Sequence, residues 1–363
     1  MTPIPFRHEV SDLSNSSNSR SSAVPLLRAR TPLRVSFAGG GTDVPPYPEQ
    51  EGGAVLSATI NRFAYGTLKP RSDRHISIHS MDIGKLVSMA LEEAKPDGDS
   101  LDLVKAAIQK IAHDTDTGFD LFLHSNAPPG SGLGSSSAVV VTLVGLLARH
   151  VQLPLTDYDR AQLALTIERK DLGLKGGAQD QYATVFGGFN FIEFEGDRVV
   201  VNPLRVSTSI VNELEYNLLL CFTGSTRISD HIIDDQTTRF QASDRSTIDG
   251  LRMQKLLATE MKNALVQGQL TRFGELLDEA WTYKKMMSPR ISNDHIDDLY
   301  KAAKECGALG GKVTGAGGGG YMLLYCPYDC RRKAEDALEA LGAEVVPFQF
   351  EKQGSVIWSS EHD

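Results

Sequence analysis

The sequence is poor in features that mark disulfide scaffolds, membrane proteins and nucleic-acid binders. Four cysteines among 363 residues (Cys221, Cys306, Cys326, Cys330) are too few for a disulfide framework. Cys326 and Cys330 form C-P-Y-D-C with no second Cys/His pair nearby, so they read as small residues at a strand–helix junction rather than metal ligands. No apolar run reaches the roughly 18–20 residues that crossing a bilayer requires. Residues 1–27 lack the apolar stretch of a signal peptide. A reduced, cytoplasmic protein without membrane partners is expected. Basic residues are outnumbered, 37 Lys+Arg against 46 Asp+Glu, for a net charge of −9. That balance argues against a nucleic-acid partner, which calls for a basic stripe. It leaves room for an anionic ligand held by a few local groups.

What is present is ordinary globular composition, 41% hydrophobic and 23% charged, in a chain long enough for two sub-domains. Seven of the twelve residues at 11–22 are serine, so residues 1–27 are expected to form a disordered tail, with order beginning near Arg28. Strand patterns occupy 30–37, 62–69, 75–79 and 119–124. The apolar segment 138–148 reads as a buried helix, and Thr156 as the N-cap of a helix over 157–170. Strands at 188–194 and 198–202 precede a boundary at 203–212. Beyond it lie a strand at 218–222, helices at 246–267, 270–283 and 294–306, and strands at 311–314 and 321–325. A helix at 331–341 and a final strand at 344–350 complete the chain. Mixed order without strict alternation indicates α+β.

The 33 glycines are in excess and clustered. Pro128, Gly130, Ser131, Gly132, Leu133, Gly134, Ser135, Ser136 and Ser137 precede the apolar helix, a Gly/Ser loop whose backbone N–H groups and helix N-terminus suit a phosphate. One serine would suffice for a cap. A Walker loop is absent, because neither Gly84-Lys85 nor Gly311-Lys312 has the required flanks. Gly315–Gly320 matches G-x-G-x-x-G, but strand residues follow where a dinucleotide fold needs a helix, so an oxidoreductase fits poorly.

Three separated motifs resemble those of the GHMP kinases: Pro32-Leu33-Arg34 with Gly39, Thr42 and Asp43; the Pro128–Ser137 loop; and Lys312-Val-Thr-Gly-Ala-Gly-Gly-Gly-Gly. Within that superfamily the D-glycero-D-manno-heptose 7-phosphate kinases are most alike, through TPLRVSFAGGGTDVPPY, GGAQDQYATVFGGFNFIEF and GALGGKVTGAGGGGYMLLY. Galactokinases carry Glu-His where this chain has Gly40-Gly41, which argues against galactose and suggests more room beside the substrate. The resemblance implies a two-lobed fold, with a ribosomal protein S5 domain 2-like N-terminal lobe at 28–205 and a ferredoxin-like C-terminal lobe at 206–363.

It implies further that ATP phosphates lie on the central loop and that Ser136 and Glu168 hold Mg²⁺, a hard ion suited to one hydroxyl and one carboxylate. Asp180 corresponds to the base that deprotonates the acceptor hydroxyl, and Arg34 to the cation beside it. Gly41, Thr42, Asp43, Gln179, Gly315 and Gly317 would contact the sugar. The acceptor's own phosphate would need a further cation, with Arg227, Lys284 and Lys285 as candidates. The implied reaction is ATP-dependent phosphorylation of the anomeric hydroxyl of a heptose 7-phosphate, feeding nucleotide-activated heptose for a surface polysaccharide. The implied partners are ATP and a sugar phosphate, with room for a homodimer. A fucokinase-like kinase of a free sugar and a silent sugar sensor are the alternatives.

Overall fold

The computed structural model describes residues 25–226 and 230–360. Residues 1–24, and with them almost all of the expected tail, lie outside the described residues, as does Arg227. Order begins slightly earlier than expected, since Leu26 and Leu27 already belong to the first strand.

The strands are β1 (Leu26–Ala38), β2 (Gly53–Pro70), β3 (His75–Ser80), β4 (Lys85–Ala90), β5 (Phe119–Ser125), β6 (Phe189–Glu195), β7 (Arg198–Pro203), β8 (Leu218–Phe222), β9 (Gly310–Val313), β10 (Tyr321–Tyr325), β11 (Glu344–Val346) and β12 (Val356–Ser360). The first sheet has eight strands in the path β12-β1-β2-β5-β3-β4, with β6 joined to β2 and β7 to β6. The 18-residue β2 makes this possible by pairing with β6 along Gly53–Ala58 and with β5 along Ala64–Pro70. A second, antiparallel sheet runs β11-β8-β10-β9.

The helix Ser135–His150 packs on β1 and β2 through an almost wholly buried apolar surface, as its composition requires. Thr156 caps the helix Asp157–Leu165 by accepting from the Asp159 N–H. The chain then winds into a wider π-type turn over Thr166–Asp171. Helices Arg245–Val266 and Leu270–Met286 lie between the sheets. Their apolar residues share one core with Leu33, Val35 and Phe37 of β1 and with Leu218, Leu220 and Leu323 of the second sheet. Phe37 stands edge-on to Phe273 at 5.2 Å, so the lobes are joined by packed aromatic surface.

The boundary expected at 203–212 is partly helix, Thr208–Asn217, capped by Ser207. The last strand also differs. The segment after Val346 leaves the second sheet, and β12 pairs antiparallel with β1, so the C-terminus belongs to the first sheet. Ile357 of β12 packs against Gly145, covering a helix surface that would otherwise face water. Among the described residues no helix is long and apolar enough to cross a membrane. Cys326 and Cys330 are buried and unbridged, and burial pushes both thiols above their usual range.

Candidate active site

A cavity of about 430 Å³ opens between the lobes, lined by three of the glycine-rich turns. Its floor is the loop before Ser135–His150. Gly132 there has φ +79°, and a Cβ would stand 2.5 Å from the Thr314 carbonyl oxygen, so only glycine permits this approach of the central loop to the third motif. The N-cap is left-handed Gly134, with no side-chain cap. The three serines are spent elsewhere: Ser135 donates to the Pro128 carbonyl at 3.2 Å, while Ser136 and Ser137 donate to Glu168 at 2.7 and 2.8 Å. The first-turn N–H groups are thus left without side-chain acceptors beside the cavity, the arrangement an anion needs.

Glu168 reaches this loop because the π-type turn carries it inward, a common use of such turns. It is 2% exposed. One oxygen takes the Ser136 hydroxyl; the other takes Ser137 and, at 2.5 Å, the Gln181 amide. The Ser136-facing side borders the cavity, so a hydroxyl and a carboxylate oxygen stand together where a hard divalent ion could bind. The acidic trio Asp97, Asp99 and Asp102 lies apart and is already engaged, Asp97 and Asp99 by Lys105 and Asp102 by the Asp97 and Gly98 N–H groups.

Three consecutive residues opening the helix Gln179–Phe186 each fix a different wall. Gln181 holds Glu168. Asp180 accepts from Arg34 Nε at 2.6 Å, and Arg34 also donates to the Gly132 carbonyl at 2.6 Å. Gln179 donates to Asp43 through backbone and side chain at 3.0 and 3.2 Å, while its Oε1 is buried without a partner. Asp43 also accepts from the Gly41 N–H, so its carboxylate ties the first glycine turn to the Gly176–Gln179 segment.

Of the expected site residues, Arg34, Gly41, Asp43, Gly130, Gly132, Gly134, Ser135, Ser136, Ser137, Glu168, Gln179, Asp180 and Gly315 line the cavity. Others do not. Thr42 is buried, its hydroxyl satisfied within the turn by Gly39 and by Ala54. Leu133 and Ser131 are fully buried beneath the loop, and Pro128 closes it through its carbonyl. Gly317 packs against Ile291. Gly41 also corrects the expected extra room, since Met287 and Gln236 already fill the place of its absent side chain. Space remains at Gly40, where a Cβ would meet nothing closer than 3.5 Å.

Sequence reading missed Arg169, whose guanidinium holds the carbonyls of Leu174, Lys175 and Gly177. It also missed the helix Asp230–Gln241, which supplies Ile232 and Gln236 to the wall. Lys285 turns away toward Asp297, but Lys284 is buried at the cavity and donates to the Gly40 carbonyl at 2.9 Å.

Burial moves the Lys284 ammonium down from 10.5 to about 8, Asp43 opposing and Arg34 adding to the shift. Burial likewise pushes Lys312 well below the lysine range. Below pH 8 Lys284 is protonated in both folded and unfolded chains and its burial cost is paid in full. Between pH 8 and 10.5 the unfolded chain retains a proton that the folded chain has released, so stability rises with pH. Urea unfolding of the wild type, measured against Lys284→Met, should therefore show a gain of about 3 kcal/mol across that interval. A difference that stays flat with pH would mean that Lys284 titrates normally.

Models of the GHMP kinase N-terminal and C-terminal domains match residues 102–188 and 261–346. A D-glycero-alpha-D-manno-heptose 7-phosphate kinase of Campylobacter jejuni is 38% identical over 92% of this chain and 98% of its own. The chain belongs to the GHMP kinases. A crystal structure of a D-glycero-D-manno-heptose 1-phosphate kinase from Bacteroides thetaiotaomicron superposes with a TM-score of 0.77 at 35% identity, covering 92% of this chain and 98% of that one. The bifunctional fucokinase/GDP-fucose pyrophosphorylase of Arabidopsis thaliana is 30% identical over 82% of this chain, which spans 29% of that longer protein. As a GHMP kinase, this chain is an ATP-dependent phosphotransferase with the two-lobed fold of that family.

Proposed function

We propose that the chain transfers the γ-phosphoryl group of ATP to the anomeric hydroxyl of D-glycero-D-manno-heptose 7-phosphate. The observation that carries the chemistry is the Arg34–Asp180 pair, which faces the cavity beside the Ser/Gly loop. The substrate class follows from the two heptose-phosphate kinase relatives, whose names place the phosphate at different positions. A free carboxylate in contact with a guanidinium can orient a hydroxyl and take its proton as the oxygen attacks. In that step the sugar oxygen bonds to the γ-phosphorus, the bond from that phosphorus to the β–γ bridging oxygen breaks, and ADP departs with the electron pair. Arg34 stabilises negative charge on the group in flight, and the loop N–H groups hold the phosphates that stay behind. Mg²⁺, held by Ser136 and Glu168, would supply neutralisation of the phosphate charge.

The test is ADP release across a panel of sugars and sugar phosphates, with and without Mg²⁺. Turnover should be highest on heptose 7-phosphate and should require the ion. Faster turnover on free fucose would sink the substrate assignment and leave the kinase chemistry intact. Tight sugar binding without ADP release would point to a sensor.

A further inference from the structure

We propose that Lys284 is the binding site for the phosphate group that the acceptor already carries, and that it makes the enzyme prefer a phosphorylated sugar. The inference rests on the heptose-phosphate reading above and extends it to a residue.

Among the described residues lining the cavity, four are basic: Arg34, Arg169, Lys175 and Lys284. Three are already committed. Arg34 is paired with Asp180 and bonded to Gly132. Arg169 spends its donors on the 174–177 segment and lies 3.7 Å from Glu168. Lys175, more than half exposed at the rim, stands 3.6 Å from Asp234. Lys284 differs from all of them. Its side chain is buried, no carboxylate among the described residues forms an ion pair with it, and of its three N–H donors one is used, on the Gly40 carbonyl. The nearest acidic influence is Asp43, whose oxygens are already occupied by Gly41 and Gln179.

An ammonium buried without a counter-ion is unfavourable unless something charged arrives to meet it. The cavity itself gives access for such an arrival, because Lys284 and Gly40, the residue whose carbonyl it holds, both line it and Gly40 presents no side chain there. A second unspent group lies next to Gly40, at the start of the helix Gln179–Phe186. Gln179 lines the cavity, is 8% exposed, and keeps its Oε1 without a hydrogen-bond partner, so it is available to accept from a sugar hydroxyl. A phosphorylated polyol chain would satisfy both, its phosphate on Lys284 and a neighbouring hydroxyl on Gln179. Helix Leu270–Met286 carries Lys284, so the cation comes from the C-terminal lobe while Asp180 and the Gly/Ser loop come from the other. The two lobes thus each contribute one wall of the cavity.

The experiment compares wild type, Lys284→Met and Lys284→Arg on D-glycero-D-manno-heptose 7-phosphate and on the same heptose without phosphate. In Lys284→Met, kcat/KM on the phosphorylated acceptor should fall about 30–100-fold, mainly through KM, as expected for a lost charged hydrogen bond. Activity on free heptose should fall far less, so the preference ratio collapses; Lys284→Arg should keep most of it. An equal fall on both acceptors would overturn the proposal, because Lys284 would then serve the transferred phosphoryl group or the packing. A wild type with no preference for the phosphorylated acceptor would instead overturn the heptose-phosphate reading, and this inference with it. Should Lys284→Met fail to fold, Lys284→Gln provides the same comparison.

Discussion

Asp180→Asn should lower kcat about a thousandfold while ATP still binds. Asparagine preserves the shape of the side chain and can still accept from Arg34, so the wall of the cavity stays in place. It cannot take a proton from the acceptor hydroxyl, and general-base contributions of about 10²–10⁴ are typical. It also removes the negative charge 2.6 Å from Arg34. Nucleotide binding should survive, because the phosphates are assigned to the backbone of the Gly/Ser loop rather than to Asp180. Single-turnover kinetics with a separate nucleotide-binding measurement would resolve the two effects. Turnover at the wild-type level would remove Asp180 as the base.

Glu168→Gln should lower kcat/KM about a hundredfold, with a higher requirement for Mg²⁺. Three donors converge on this carboxylate, from Ser136, Ser137 and Gln181. Glutamine presents an NH₂ group where one of them now donates, so a serine hydroxyl or the Gln181 amide must turn to present an acceptor in place of a donor. The substitution therefore removes the charge an ion would bind and disturbs its hydrogen-bonded support. Manganese binding followed by electron paramagnetic resonance reports the metal site directly, apart from turnover. Undiminished manganese affinity in a folded Glu168→Gln protein would place the ion elsewhere. Together the two substitutions separate proton transfer from charge neutralisation, which the adjacent Asp180 and Gln181 link mechanically through one helix turn.

Much of this was legible in the sequence. Short-range rules sufficed for the apolar helix behind the Gly/Ser loop, for the Thr156 cap, and for strands β8 and β10, because local composition and spacing dictate such elements. The three glycine clusters marked the turns around the cavity, since backbone approach without side chains is a property of residue type. β12 was not legible. Five residues after a Gly-Ser pair carry little pattern, and their strand exists because the open edge of β1 accepts them.

The sequence alone was enough for the family and the α+β class, and it singled out the Gly/Ser loop with Arg34, Glu168 and Asp180 as the residues to examine. Tertiary structure alone decided which of the flanking residues face the cavity. Thr42 and Asp43 are both buried and both satisfy backbone groups, but Thr42 does so at Gly39 and Ala54 away from the cavity, while Asp43 bonds the Gly41 N–H and Gln179 at its wall. Lys284 and Lys285 are neighbours in sequence, yet one is buried at the site and the other reaches Asp297. Adjacent residues on a helix point about 100° apart, and only the packing of that helix between the two sheets selects which lysine faces the cavity.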